Sequence, residues 1–292
     1  MSQQQLKWIY LILLSLIWGS SFILIKKGLV GLSPLQVGSL RIVMAGLFLF
    51  LFGFKKIRKI TKKEWKWIAA TGFLGTFFPA FLFAFGQTEI DSAIASILNS
   101  TVPLLTLITG LLFFGAIFIR RQFIGVMIGL LGTVLLIVSG ASLNPGQNYY
   151  FSLLPLLATI MYAFNANLIK HYLQEIPVLR LTVGSFVAIF PCALLVLCST
   201  GFFEAKFLAL EETRISLLYV AILGIAGTGI AKVIFYRLVQ ISSPVFSTSF
   251  TYLIPIVAFM WGFLDGESFG LWQLFAAAVI LTGVYLANRK SD

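Results

Sequence analysis

The 292-residue chain is 59% hydrophobic and 11% charged, with a mean hydropathy of +0.99. That balance excludes a water-soluble domain, whose surface needs about a quarter of all residues charged. The net charge of +11 lies on loops between apolar runs, where it orients helices in a bilayer rather than forming a stripe for nucleic acid. One histidine and two cysteines six apart in one apolar run offer neither a metal cage nor a disulfide framework. No Gly-x4-Gly-Lys-Ser/Thr loop for a nucleotide is present, so neither a cofactor nor a nucleic-acid partner is expected and lipid is the solvent.

A bilayer core needs about 20 apolar residues per helix, and ten such runs follow one another. The first, Lys7 to Ile25, has one Lys ahead of it like a signal peptide, but its length and lack of a small-residue cleavage pattern make it a span. The turn Gly31-Leu32-Ser33-Pro34 separates it from Leu35 to Phe54. Trp65 to Phe85, Ala93 to Phe114 and Phe123 to Ser139 follow, and Asn144-Pro145-Gly146-Gln147 punctuates the chain at its middle. The second set comprises Tyr150 to Ile169, Val178 to Ser199, Ile215 to Tyr236, Val245 to Leu264 and Phe269 to Ala287. The prediction is an all-α polytopic membrane protein with two five-helix units, residues 1–140 and 150–292, joined by a 141–149 linker.

Ten spans put both termini on one side. With that side cytoplasmic, inner loops hold fifteen of the 21 Lys and Arg residues, among them the cluster Lys55, Lys56, Arg58, Lys59, Lys62, Lys63 and Lys66, whereas outer loops hold four. The positive-inside rule therefore predicts cytoplasmic termini.

The halves are related by an internal repeat. At a constant offset of 152, Gly72 meets Gly224, Gly75-Thr76 meets Gly227-Thr228, Phe83 meets Phe235, Pro103 meets Pro255 and Gly110 meets Gly262. At an offset of 144, Trp18 meets Tyr162. Five spans per half is an odd number, so the second half enters the membrane from the opposite face, the inverted arrangement found in alternating-access transporters.

Residues fit for a site fall at span depth. Pro103 and Pro255 lack the N–H that continues a helix and mark symmetric kinks or hinges. Asn99 and Thr101 before the first proline, Thr251 and Tyr252 before the second, and Asn165 are polar groups that need protein or water beside them. They either line a cavity or cross-link helices. Trp18 and Tyr162 offer an aromatic wall, with Ser21 one turn from Trp18. Arg41 lies about two turns into the second span and meets either a solute carboxylate or an outer acid. Lys232 lies nearer the inner surface, either snorkelling to it or serving a gate. Glu89, Asp91 and Glu267 sit at span ends, where they are candidates for coupling or gating.

Trp18-Gly19-Ser20-Ser21-Phe22, Pro34 followed by Arg41, and Pro255-x6-Gly262 running to Gly266-Glu267 resemble the EamA family of the drug/metabolite transporter superfamily. The resemblance spans both halves and implies a ten-helix permease of the bacterial inner membrane, exporting metabolites such as amino acids or their derivatives from a cavity between the halves. The first half departs from the pattern, with Gly115-Ala116 where the second has Gly266-Glu267. The expected function is secondary transport of a small organic metabolite by alternating access. A membrane enzyme would need clustered catalytic groups that lone His171 does not supply, and a lipid-handling or structural membrane protein is the other alternative.

Overall fold

A computed structural model describes residues 2–90, 92–138, 148–204, 208, 210–264 and 271–288. The expected 141–149 linker therefore lies outside the described residues except for Asn148 and Tyr149.

Helices begin where the local chemistry satisfies their free N–H groups. At α1 (Gln3–Gly28), Ser2 Oγ accepts from the Gln5 N–H while Gln5 Oε1 accepts from the Ser2 N–H. The same reciprocal box, Ser33 with Gln36, opens α2 (Pro34–Gly53), and Thr61 with Glu64 opens α3 (Lys62–Gly72). α3 passes through a π-helical segment, Phe73–Phe77, into α4 (Phe78–Gly86), and the three together form the third span. The fourth span is split into α5 (Ser92–Asn99) and α6 (Val102–Phe113), and α7 (Arg120–Val138) completes the first half.

The second half repeats these features. α8 (Leu153–Tyr172) and α9 (Val178–Cys198, with Pro191 inside it) precede α10 (Glu211–Gly224), which passes through a second π-helical segment, Ile225–Ile230, into α11 (Ala231–Ile241). The ninth span is split into α12 (Pro244–Thr248), a 3-10 turn over Ser249–Tyr252 and α13 (Ile254–Leu264), and α14 (Leu271–Asn288) is the tenth. The two π-segments hold Gly75-Thr76 and Gly227-Thr228, so the sequence repeat is also a repeat of helix irregularities. Among the described residues, six continuous helical stretches are long and apolar enough to cross a membrane, and the split spans supply shorter apolar helices.

Leu51, Leu195, Leu218 and Trp272 are exposed on the bundle surface, as a lipid-facing wall allows. Between helices, where lipid removes the hydrophobic drive to associate, small residues permit close approach. α7 and α14 meet backbone to backbone: a Cβ on Gly125 would lie 2.3 Å from Ala287 N, and one on Gly283 would lie 2.3 Å from Gly129 N. Gly125, Gly129 and Gly132 of α7 are the small residues that permit this approach. Buried hydroxyls mostly donate back along their own helix, as Ser15 does to Leu11 O (2.8 Å) and Thr106 to Val102 O (2.7 Å). Asn167 ties α8 to α6 through Thr106 O (2.9 Å) and Thr109 Oγ1 (3.0 Å).

Candidate functional site

Two splits and the first π-segment meet around one cavity at the core of the bundle, and the second π-segment holds two of its lining side chains, Trp18 and Arg41. Each split releases backbone carbonyls from the helical ladder, and neighbouring hydroxyls take them up. Ser100 Oγ, in the first split, donates to Thr251 O in the second (3.1 Å), and Ser15 Oγ donates to Phe250 O (3.3 Å). The prolines do not bend continuous helices. Pro103 stands in the first turn of α6 and Pro255 in the first turn of α13, each just after its break, where a missing N–H removes no intrahelical bond.

The π-segments add a second pair of carbonyls. Trp18 Nε1 donates to Gly227 O at 2.6 Å, while Lys232 Nζ donates to its repeat mate, Gly75 O. The acceptors are symmetry mates and the donors are not: one is a neutral indole, the other an ammonium. Next to Gly227, Thr228 Oγ1 accepts from Arg41 Nε at 2.6 Å and donates to Leu223 O at 3.0 Å, five residues back. The only side-chain partner that Arg41 finds among the described residues is therefore a hydroxyl and not an acid.

The free space between these elements amounts to about 710 Å³, part of it open to the outside of the bundle. The cavity wall is drawn from both halves. Trp18, Ser21, Phe22 and Ile25 come from α1, Arg41 from α2, Asn99 and Val102 from the first split, Tyr162 from α8, Lys232 and Phe235 from α11, and Thr251 and Ile254 from the second split. Rings interlock around it: Trp18 with Phe250 (4.7 Å between centroids) and Phe235 (5.5 Å), and Phe83 with Phe22 (5.9 Å) and Tyr162 (6.1 Å). Lys232 Nζ stands 5.3 Å from the Tyr162 ring centroid, 5.6 Å from Trp18 and 5.7 Å from Phe235, which is cation–π range. Arg41 is 8% exposed and Lys232 4%. Among the described residues the lining contains these two cations and no carboxylate.

The expected site residues divide accordingly. Trp18, Ser21, Arg41, Asn99, Tyr162, Lys232 and Thr251 line the cavity. Lys232 does not snorkel, because its helix turns it inward against Gly75 and the rings. Tyr252 is a correction: it is fully buried away from the cavity, its ring against Gly129 and its hydroxyl donating to Val126 O (3.1 Å), so it anchors α7. Thr101 also lies outside the lining, its hydroxyl donating to Leu98 O (2.6 Å) within the first split. Asn165 is fully buried against Gly75 and lies outside the cavity lining. Its amide has no hydrogen-bond partner among the described residues. Glu89 is exposed at an end of the bundle, and Asp91 and Glu267 lie outside the described residues.

Phe22, Phe83 and Phe235 are lining residues that the sequence reading did not select. The signal was present in two forms. Trp18, Ser21, Phe22 and Ile25 recur at i, i+3, i+4 and i+7, one face of a helix, and Phe83 and Phe235 are repeat mates.

At one end of the bundle, the end where α1 starts, polar and aromatic contacts bridge the helices. Gln240 Nε2 donates to Leu173 O (3.1 Å) and Ile176 O (2.8 Å), and Lys170 Nζ donates to Gln240 O (3.2 Å). Trp67 stacks on Tyr172 at 3.8 Å, and Trp8 meets Phe246 edge-on at 5.5 Å.

Known proteins share this architecture. The model of the EamA-like transporter family matches residues 6–138 and again residues 150–289. The chain is 27% identical over 285 residues to the uncharacterized inner membrane transporter YedA of Escherichia coli K12, covering 94% of this chain and 88% of that protein. It is 26% identical over 296 residues to a probable amino-acid metabolite efflux pump of Salmonella typhimurium, covering 94% and 92%. A solved crystal structure superposes with a TM-score of 0.74 at 17% identity over 98% of this chain and 97% of the other, a likeness of fold.

Proposed function

The chain belongs to the EamA-like transporter family and is an integral membrane transporter, and from that premise we propose that it moves a small organic metabolite, an amino acid or a derivative of one, by alternating access across a bacterial cytoplasmic membrane. The observation that carries this reading is the cavity walled by both halves, in which two buried cations and an aromatic cage stand beside both split spans and the first π-segment. Split helices expose backbone polar groups at mid-depth without lipid contact, which is how many transporters build solute sites.

In this mechanism the body of the solute rests against the aromatic wall, with Arg41 and Lys232 holding its polar end. Hydrogen bonds and ring contacts at the α1-start end close one path. Rocking of one repeat against the other breaks those contacts and closes the opposite end. The excess of Lys and Arg in alternate loops supports cytoplasmic termini, and the name of the Salmonella relative supports an amino-acid-derived solute and outward movement. Residues 1–140 and 150–292 act as the two repeats.

The test is flux of a radiolabelled amino-acid and amino-acid-derivative panel in proteoliposomes of the purified protein, with and without a pH gradient. The expected result is saturable flux of at least one solute, lost in Arg41→Ala and reduced in Pro255→Ala. Absence of flux for the whole panel, from protein that remains monodisperse, rejects the assigned solute class.

A further inference from the structure

We infer that the solute is an organic anion, a carboxylate on an apolar or aromatic body with no free ammonium group, and that the cavity selects against zwitterionic amino acids. The inference rests on the cavity being the solute site proposed above, and narrows its chemistry.

Charge inventory is the first ground. A zwitterion needs an acceptor of negative charge for its ammonium as well as donors for its carboxylate. Among the described residues the lining supplies Arg41 and Lys232 and no carboxylate. A solute ammonium would be a third cation in a low-dielectric space, facing only neutral oxygens among the described residues, whereas a carboxylate compensates buried positive charge that no described acid matches.

Geometry is the second. Arg41 uses Nε to reach Thr228 Oγ1 (2.6 Å), and its two terminal nitrogens donate to no described residue. They are not among the polar atoms sealed in protein without a partner, so that edge of the guanidinium borders open space. Two parallel N–H groups presented in one plane match a carboxylate in the bidentate manner that guanidinium favours. Thr228, which is fully buried, fixes the plane from behind.

Occupancy of the aromatic cage is the third. Trp18, Tyr162 and Phe235 would make an acceptable seat for a solute ammonium, but Lys232 Nζ already occupies it, at 5.3 to 5.7 Å from the three centroids. The protein's own cation fills the place that an amino acid's amine would need. What the rings leave open is apolar surface for the solute body.

The experiment uses three radiolabelled acids that share a phenyl ring and carboxylate and differ at the α-carbon: 3-phenylpropanoate (hydrogen), N-acetylphenylalanine (neutral amide) and phenylalanine (ammonium). Binding to the full-length purified protein and counterflow in proteoliposomes are measured for each. The expected result is half-saturation for the two anions at least about tenfold below that for phenylalanine, equivalent to about 1.4 kcal/mol. Arg41→Gln abolishes anion binding, Arg41→Lys retains part of it, and Lys232→Glu reverses the order in favour of phenylalanine. Size-exclusion profile and thermal unfolding in detergent establish that each variant is folded, and the Arg41→Lys and Lys232→Glu arms read selectivity rather than loss. Phenylalanine binding as well as or better than the anions overturns the inference and leaves transport standing. Saturable binding of none of the three also overturns it, and the wider panel then decides separately whether the protein transports.

Discussion

Removing the hydroxyl of Thr228 tests whether Arg41 is held ready for a solute. Thr228→Val keeps the shape of a fully buried side chain but deletes both the acceptor for Arg41 Nε at 2.6 Å and the donor to Leu223 O at 3.0 Å. The bond to a guanidinium is worth about 1.5–3 kcal/mol, which at about 1.4 kcal/mol per factor of ten raises the half-saturation concentration of an anionic solute roughly 10- to 150-fold. Maximal flux falls less, because both split spans and the first π-segment are untouched. Thr228→Ser restores the hydroxyl and is expected to recover most of the affinity. The assay is concentration-dependent counterflow for wild type, Val and Ser, with thermal unfolding in detergent run alongside. The reasoning is refuted if Val and Ser behave alike, or if the loss lies in stability and maximal flux with half-saturation unchanged.

Three further perturbations address other parts of the fold. A Cβ on Gly75 would lie 2.4 Å from Asn165 Nδ2, so Gly75→Ala displaces a π-segment whose carbonyl holds Lys232, at an overpacking cost of about 1–3 kcal/mol; reduced flux with modest loss of thermal stability is expected, and wild-type flux would contradict it. Gly125→Val sets a branched side chain against the backbone at Ala287, 2.3 Å from the Cβ position, where no rotamer change gives relief; thermal unfolding in detergent is expected to show a large drop, while Ile124→Val beside it, half exposed on the bundle surface, leaves the midpoint unchanged. Gln240→Ala deletes two hydrogen bonds from the closed end, about 1 kcal/mol each, and so increases the population open at that end up to about 30-fold. Labelling of Thr248→Cys by an impermeant maleimide, in a background with Cys192 and Cys198 replaced, measures that change.

Span number, their order and the repeat were legible in the sequence because each follows from a one-dimensional rule: lipid requires long apolar runs, and duplication leaves fixed offsets such as that between Gly75-Thr76 and Gly227-Thr228. Two of the six aromatic residues lining the cavity were legible for the same reason, since Trp18 and Tyr162 are mates. The rotation of each helix was not legible, because hydropathy in a span that is apolar all round does not distinguish a lipid-facing side from a protein-facing one. Lys232 and Tyr252 illustrate the consequence. Counted along its span, Lys232 reads as a residue close to the surface, yet the π-segment beside it turns its ammonium into the central cage. Tyr252 follows cavity-lining Thr251 directly, and the 3-10 turn aims it at α7 instead. The sequence by itself determined a duplicated, ten-span membrane protein with breaks near Pro103 and Pro255. The tertiary structure alone decided that Arg41 and Lys232, 191 positions apart in the chain, share one cavity whose described lining holds no acid, because only packing of one half against the other fixes which polar groups face inward.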